Sequence, residues 1–103
     1  MPPEVFKFTD DGARLVVLTD LDQHFADDFE RACRRLVKAQ AAEITIDLSR
    51  VNYMNSTCLG ELLLTSDRCR EFDKRLQLRI SRQLSSLFDL VSIGDFIEIE
   101  VAD

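Results

Sequence analysis

The sequence predicts an α/β fold, a mainly parallel, mixed central sheet of about five strands with helices packed against it. Three observations predict it. Strand-like apolar runs alternate with stretches of helical spacing through most of the chain. The first two runs are joined by an acidic, Gly-ended turn, which makes an antiparallel hairpin and hence a mixed edge. The 103 residues show no internal repeat, linker or low-complexity segment, so residues 1–103 read as a single domain with 1–3 as a short N-terminal tail.

Residues 5–9 alternate, Asp10-Asp11-Gly12 offers the turn, and residues 14–18 form the second strand. Its continuous apolar run Val16-Val17-Leu18 is that of a strand covered on both faces. Asp20 and Asp22 are alternative caps for the first helix, in which Phe25, Phe29, Ala32, Cys33, Leu36 and Val37 recur at helical spacing and mark the buried stripe. Residues 41–48 give the central strand, with Ile44, Ile46 and Leu48 on one side of the pleat and Thr45 and Asp47 on the other.

A second helix starts near Ser56, with Leu59, Leu62, Leu63, Ser66, Cys69 and Phe72 as its apolar stripe and Asp67, Arg68, Arg70, Glu71, Asp73 and Lys74 on the solvated side. Residues 76–80 form a short strand. Ser81 caps a third helix carrying Leu84, Leu87, Phe88 and Val91, and Gly94 ends it by tolerating the left-handed conformation. Residues 96–101 supply the last strand, with Ile97, Ile99 and Val101 against Glu98 and Glu100. Right-handed crossovers then give a mainly parallel sheet, and function in such sheets gathers in loops beyond the carboxyl ends of the strands.

Composition narrows the function. A formal charge of −6 argues against a nucleic-acid partner or an anionic membrane surface, both of which need a basic patch. The cluster Arg31, Arg34, Arg35 and Lys38 follows Asp27, Asp28 and Glu30 in one helix, an order that suits the helix dipole and reads as a solvated face. Three cysteines without CxxC spacing, and no secretory signal, point to a reducing compartment, so a cytoplasmic protein is expected. The apolar runs are too short to insert in a membrane. Lone His24 lacks partners at metal spacing, and no Gly-rich phosphate loop, HExxH or nucleophile elbow is present. The expectation is a non-enzyme with no cofactor and no metal.

The informative stretch runs from Ile44 to Leu64: a strand, a short polar loop, then a Ser-Thr pair opening an apolar helix. A hydroxyl at a helix start can cap the backbone, and it lies where negative charge is welcome. Asp47-Leu48-Ser49 followed by Tyr53-Met54-Asn55-Ser56-Thr57-Cys58-Leu59-Gly60 resembles the STAS domain of bacterial anti-sigma factor antagonists. Asn55 stands where that family has Asp, and Cys58 where it has its first Gly. The resemblance implies a STAS fold and a transcription-regulating module that docks an anti-sigma factor with serine kinase activity. It also implies that Ser56 is the phosphorylated residue, with Thr57 as the alternative acceptor. Asp47, Ser49, Asn55, Ser56, Thr57, Cys58 and Gly60 are then the partner-binding residues, Asp47 and Ser49 ordering the loop.

Competing readings stand beside this one. Ser56 or Thr57 can be no more than an N-cap. The fold can serve as a constitutive scaffold that is not phosphorylated, of the stressosome-like kind or as an accessory subunit of a lipid-transporting ABC system. In another class, Cys58 at a helix N-terminus can be a thiol of lowered pKa in a redox sensor. A homodimer is left open, because an exposed apolar stripe serves a second copy as well as a partner.

Overall fold

The structure, a computed structural model, describes residues 4–95 and 97–102. The tail 1–3 and the first residue of the last expected strand, Phe96, lie outside the described residues. Five strands form one sheet in the order β1 (Phe6–Phe8), β2 (Arg14–Val17), β3 (Glu43–Leu48), β4 (Arg75–Ile80) and β5 (Glu98–Val101). β1 runs antiparallel to β2, and every later pair is parallel. The hairpin turn needs its glycine: Gly12 has φ 72°, and the Asp11 carboxylate accepts the Thr9 hydroxyl at 2.7 Å and the Ala13 amide at 3.0 Å.

The three crossovers carry α1 (Ala26–Val37), α2 (Ser56–Glu71) and α3 (Arg82–Val91). Parallel strands laid down in sequence order, joined by crossovers of one hand, put all their helices on the same face. The burial agrees. Leu15, Val17, Ile44, Ile46, Leu48, Leu76, Leu78 and Ile80 are buried, while Lys7, Gln77 and Glu98 between them are exposed. The sheet is therefore two-layered, and the expectation of a β2 covered on both faces is corrected: Val16 is only half-buried, on an open face. That face is held by charge. Arg14 pairs with Asp47 at 2.8 Å, and Arg75 with Glu98 at 2.5 Å and Glu43 at 3.6 Å, along neighbouring strands.

Three more expectations are corrected. The buried side of α2 is Cys58, Glu61, Leu62, Thr65, Ser66 and Cys69, whereas Leu63 and Phe72 of the expected stripe are 39% and 64% exposed. Leucines at 62, 63 and 64 span about 200° of the helix, so their spacing does not select a face. Packing against α1 does. The Thr65 hydroxyl donates to the Glu61 carbonyl at 2.7 Å, and Arg68 reaches back along α2 to the Glu61 carboxylate at 3.0 Å, which lets a buried carboxylate sit at that interface. At the end of α3 the left-handed residue is Ser92, φ 56°, and Gly94 follows within a 3-10 turn. Lys74, expected on the solvated side, instead donates its ammonium to the carbonyls of Ala39 and Ala41, tying the end of α2 to the chain leaving α1.

Candidate functional site

The loop from Ser49 to Asn55 leaves the carboxyl end of β3, and its path is fixed by bonds from three other segments. Asp47 starts it: one carboxylate oxygen accepts the Ser49 amide at 2.9 Å and the other meets Arg14. Burial pushes the Asp47 carboxyl up, but the Ser49 hydroxyl and amide and the Arg14 guanidinium outweigh it and hold it below the usual carboxylate range. The Val51 carbonyl accepts the Ser81 hydroxyl at 2.6 Å, the same oxygen that caps α3 through the Leu84 amide at 3.2 Å. The Asn52 amide donates to Asp20 at 2.8 Å. Leu21 then forms a parallel bridge with Met54, giving its amide to the Tyr53 carbonyl and accepting the Asn55 amide, each at 2.9 Å.

Of the two expected caps for the first helix, Asp22 takes a preceding 3-10 turn over Gln23–Phe25 through the His24 amide, and Asp20 is used on the loop. The cap of α2 is corrected more substantially. Asn55, not Ser56 or Thr57, is its N-cap, its side-chain oxygen accepting the Cys58 amide at 2.9 Å. Ser56 and Thr57 occupy the first two helical positions with exposed side chains, so both hydroxyls stand free of capping duty at the positive end of a sixteen-residue helix.

The expected partner-binding residues fall into two groups. Ser56 and Thr57 lie on the surface beside exposed Asn52 and half-exposed Tyr53, with Asn55, Ser49 and Gly60 partly buried next to them. Asp47 and Cys58 lie beneath, 7% and 1% exposed. The surroundings of Cys58 oppose the reactive-thiol reading: burial, with the nearby carboxylates of Asp22 and Glu61 adding to it, pushes its thiol up to about 11. Cys33 and Cys69 are buried as well. Tyr53, Asp20 and Gln23 were not expected at the rim: Asp20 was read as a helix cap and Tyr53 only as part of the motif. Only the exposed aromatic in a polar loop could have signalled the first, and the other two join the rim through contacts 32 residues apart.

Sheet order, one-sided helices and a strand–loop–helix rim at the carboxyl edge define a small two-layer α/β domain. Within that class the chain belongs to the STAS domain family: the family model described as Mlab, STAS domain, matches residues 5–98. Among curated relatives, the anti-sigma-B factor antagonist of Staphylococcus epidermidis is 26% identical over 91 residues, covering 87% of this chain and 84% of that one. Among solved structures, a protein assigned as an anti-sigma factor antagonist in Thermotoga maritima superposes with a TM-score of 0.75 at 16% identity, covering 95% of this chain and 85% of that one. The anti-sigma factor antagonist SpoIIAA in its unphosphorylated form gives a TM-score of 0.71 at 15% identity, covering 95% of this chain and 88% of that one. Both likenesses are of fold. Among the described residues no helix is long and apolar enough to cross a membrane.

Proposed function

We propose that this chain is a regulatory binding module of the anti-sigma factor antagonist type. It docks an anti-sigma factor with serine kinase activity through the Ser49–Asn55 loop and the start of α2, and phosphorylation of Ser56 releases it. The names of the relatives support the binding role. The observation that carries the switch is the exposed Ser56 hydroxyl beside a cap supplied by Asn55, an acceptor that can be modified without breaking the helix start. A phosphate there brings a charge of about −1.5 to −2 to the docking rim, where Asp20 and Asp22 are already exposed. The helix amides would steady it on the domain, while a partner surface matched to the neutral hydroxyl would lose contact through repulsion and desolvation.

A second reading keeps the docking and drops the switch: a constitutive scaffold. The neutral Asn55 at the cap favours it. One experiment separates the two. The purified chain and its Ser56→Ala variant are incubated with ATP and lysate from the source organism, and intact mass is measured. One phosphate gained by the wild type alone is the expected result; no gain on either, with the lysate kinase active on another substrate, selects the scaffold. A gain on both moves the acceptor to Thr57 or elsewhere.

A further inference from the structure

A cleft of about 700 Å³ opens where α1 and α2 end, at the far end of α2 from Ser56. Arg34, Lys38, Arg68 and Lys74 line it together with Val37 and Phe72, and none of its described lining residues is acidic. Four cations therefore converge on one concavity in a chain whose formal charge is −6. Part of this charge has a structural duty, because cations belong at the carbonyl ends of helices. Lys74 is spent on the Ala39 and Ala41 carbonyls, and Arg34 pairs with Glu30 at 2.8 Å. The remainder does not. Lys38 is exposed and without a partner among the described residues, and Arg68 is held through Nη1 by Glu61, leaving the rest of its fork toward the cleft.

Dipole compensation also leaves Phe72 unexplained. This residue follows the last turn of α2 and is 64% exposed, a large apolar ring standing in water beside the Val37 wall. A single exposed aromatic is ordinary on a protein surface. Here it coincides with a concavity of ligand size and an excess of cations, and small-molecule sites combine those features.

We propose that this cleft binds a small amphipathic anion, with Lys38 and the Arg68 fork meeting a carboxylate or phosphate monoester head and Phe72 with Val37 covering an aliphatic or aromatic body. Guanidinium and ammonium groups suit either head, the fork adding direction and the lysine a mobile point charge. The site is distinct from the rim around Ser56 and does not rest on that rim's function.

The test uses the ¹⁵N-labelled full chain, titrated with decanoate, decyl phosphate, decanol and inorganic phosphate, each below its micelle or solubility limit. Saturable amide shifts confined to residues 34–39 and 68–74 are expected with at least one amphipathic anion, and responses weaker on the order of tenfold with decanol and inorganic phosphate, which supply only half the complementarity. Saturation by decanoate alone assigns a carboxylate head, and by decyl phosphate alone a phosphate head. Lys38→Glu, at an exposed position, is expected to weaken the anion on the order of tenfold by placing like charges together. No saturable shift with either anion in the wild type, shifts spread across the whole domain, or a decanol response equal to that of the anions would overturn the proposal.

Discussion

Asn55 and Ser56 divide the start of α2 between them: the Asn55 side-chain oxygen accepts the Cys58 amide at 2.9 Å, and the neighbouring Ser56 hydroxyl is left exposed. A neutral amide thus performs the capping without setting a fixed charge beside the hydroxyl.

This division predicts an order of stabilities. Asn55→Ala should cost about 1 kcal/mol, the usual loss for an N-cap, whereas Ser56→Ala should stay within about 0.5 kcal/mol of the wild type. Urea unfolding of the two variants checks it, and the reverse order would return the cap to Ser56.

Asp47 should make the domain acid-sensitive. Its folded carboxyl lies below the ordinary value, so its contribution to stability is full above that value and is lost as pH falls through the folded one. Asp47→Asn should therefore be less stable than the wild type at neutral pH and approach it as the solution becomes strongly acidic. Thermal melts at a series of pH values measure this; a constant gap between the curves would contradict it.

The Glu61–Arg68 pair should show strong coupling. Removing Arg68 leaves a carboxylate that is 7% exposed without its partner, so Arg68→Met should cost about 2 kcal/mol, less than a fully enclosed pair because Arg68 reaches solvent. Glu61→Gln in the same chain should recover part of that loss. A double-mutant cycle supplies the number, and simple additivity of the two substitutions would mean the pair is independent.

Cys58 should be a slow thiol. At neutral pH, burial and a thiol value of about 11 leave little thiolate, so alkylation of the folded chain by iodoacetamide should be far slower than in urea. Peptide mapping of the modified cysteine gives the answer. Equal rates in the two conditions would restore a reactive site.

The order of elements along the chain and the start of α2 were legible because they rest on local signals: alternation in residues 76–80, the Asp-Asp-Gly turn, and a polar loop ending in an apolar run. The cap was not, since Asn55, Ser56 and Thr57 are all competent cap residues and only backbone geometry chooses among them. The buried face of α2 was hidden for a different reason. Its selection depends on a carboxylate and a threonine made tolerable by Arg68 and by bonds across or along the helix, and periodicity scores such residues as surface. The open sheet face escaped notice because Val16 belongs to an apolar run, although right-handed crossovers between strands in sequence order already require one bare side. At the rim, Asp20 and Leu21 meet the loop across some thirty residues of chain, a pairing that no short window of sequence contains.

The bridge between Leu21 and Met54 joins two loops into one plate. Its backbone bonds on both sides, with Asp20 clamping Asn52 and Ser81 clamping Val51, leave this edge few ways to bend. If this rim is the proposed docking surface, a visiting protein would meet a stencil rather than a glove: little chain would have to be ordered during docking, and recognition would reside in what is printed on the plate. On such a surface a single change of chemistry at one position would alter the message while the paper stays flat.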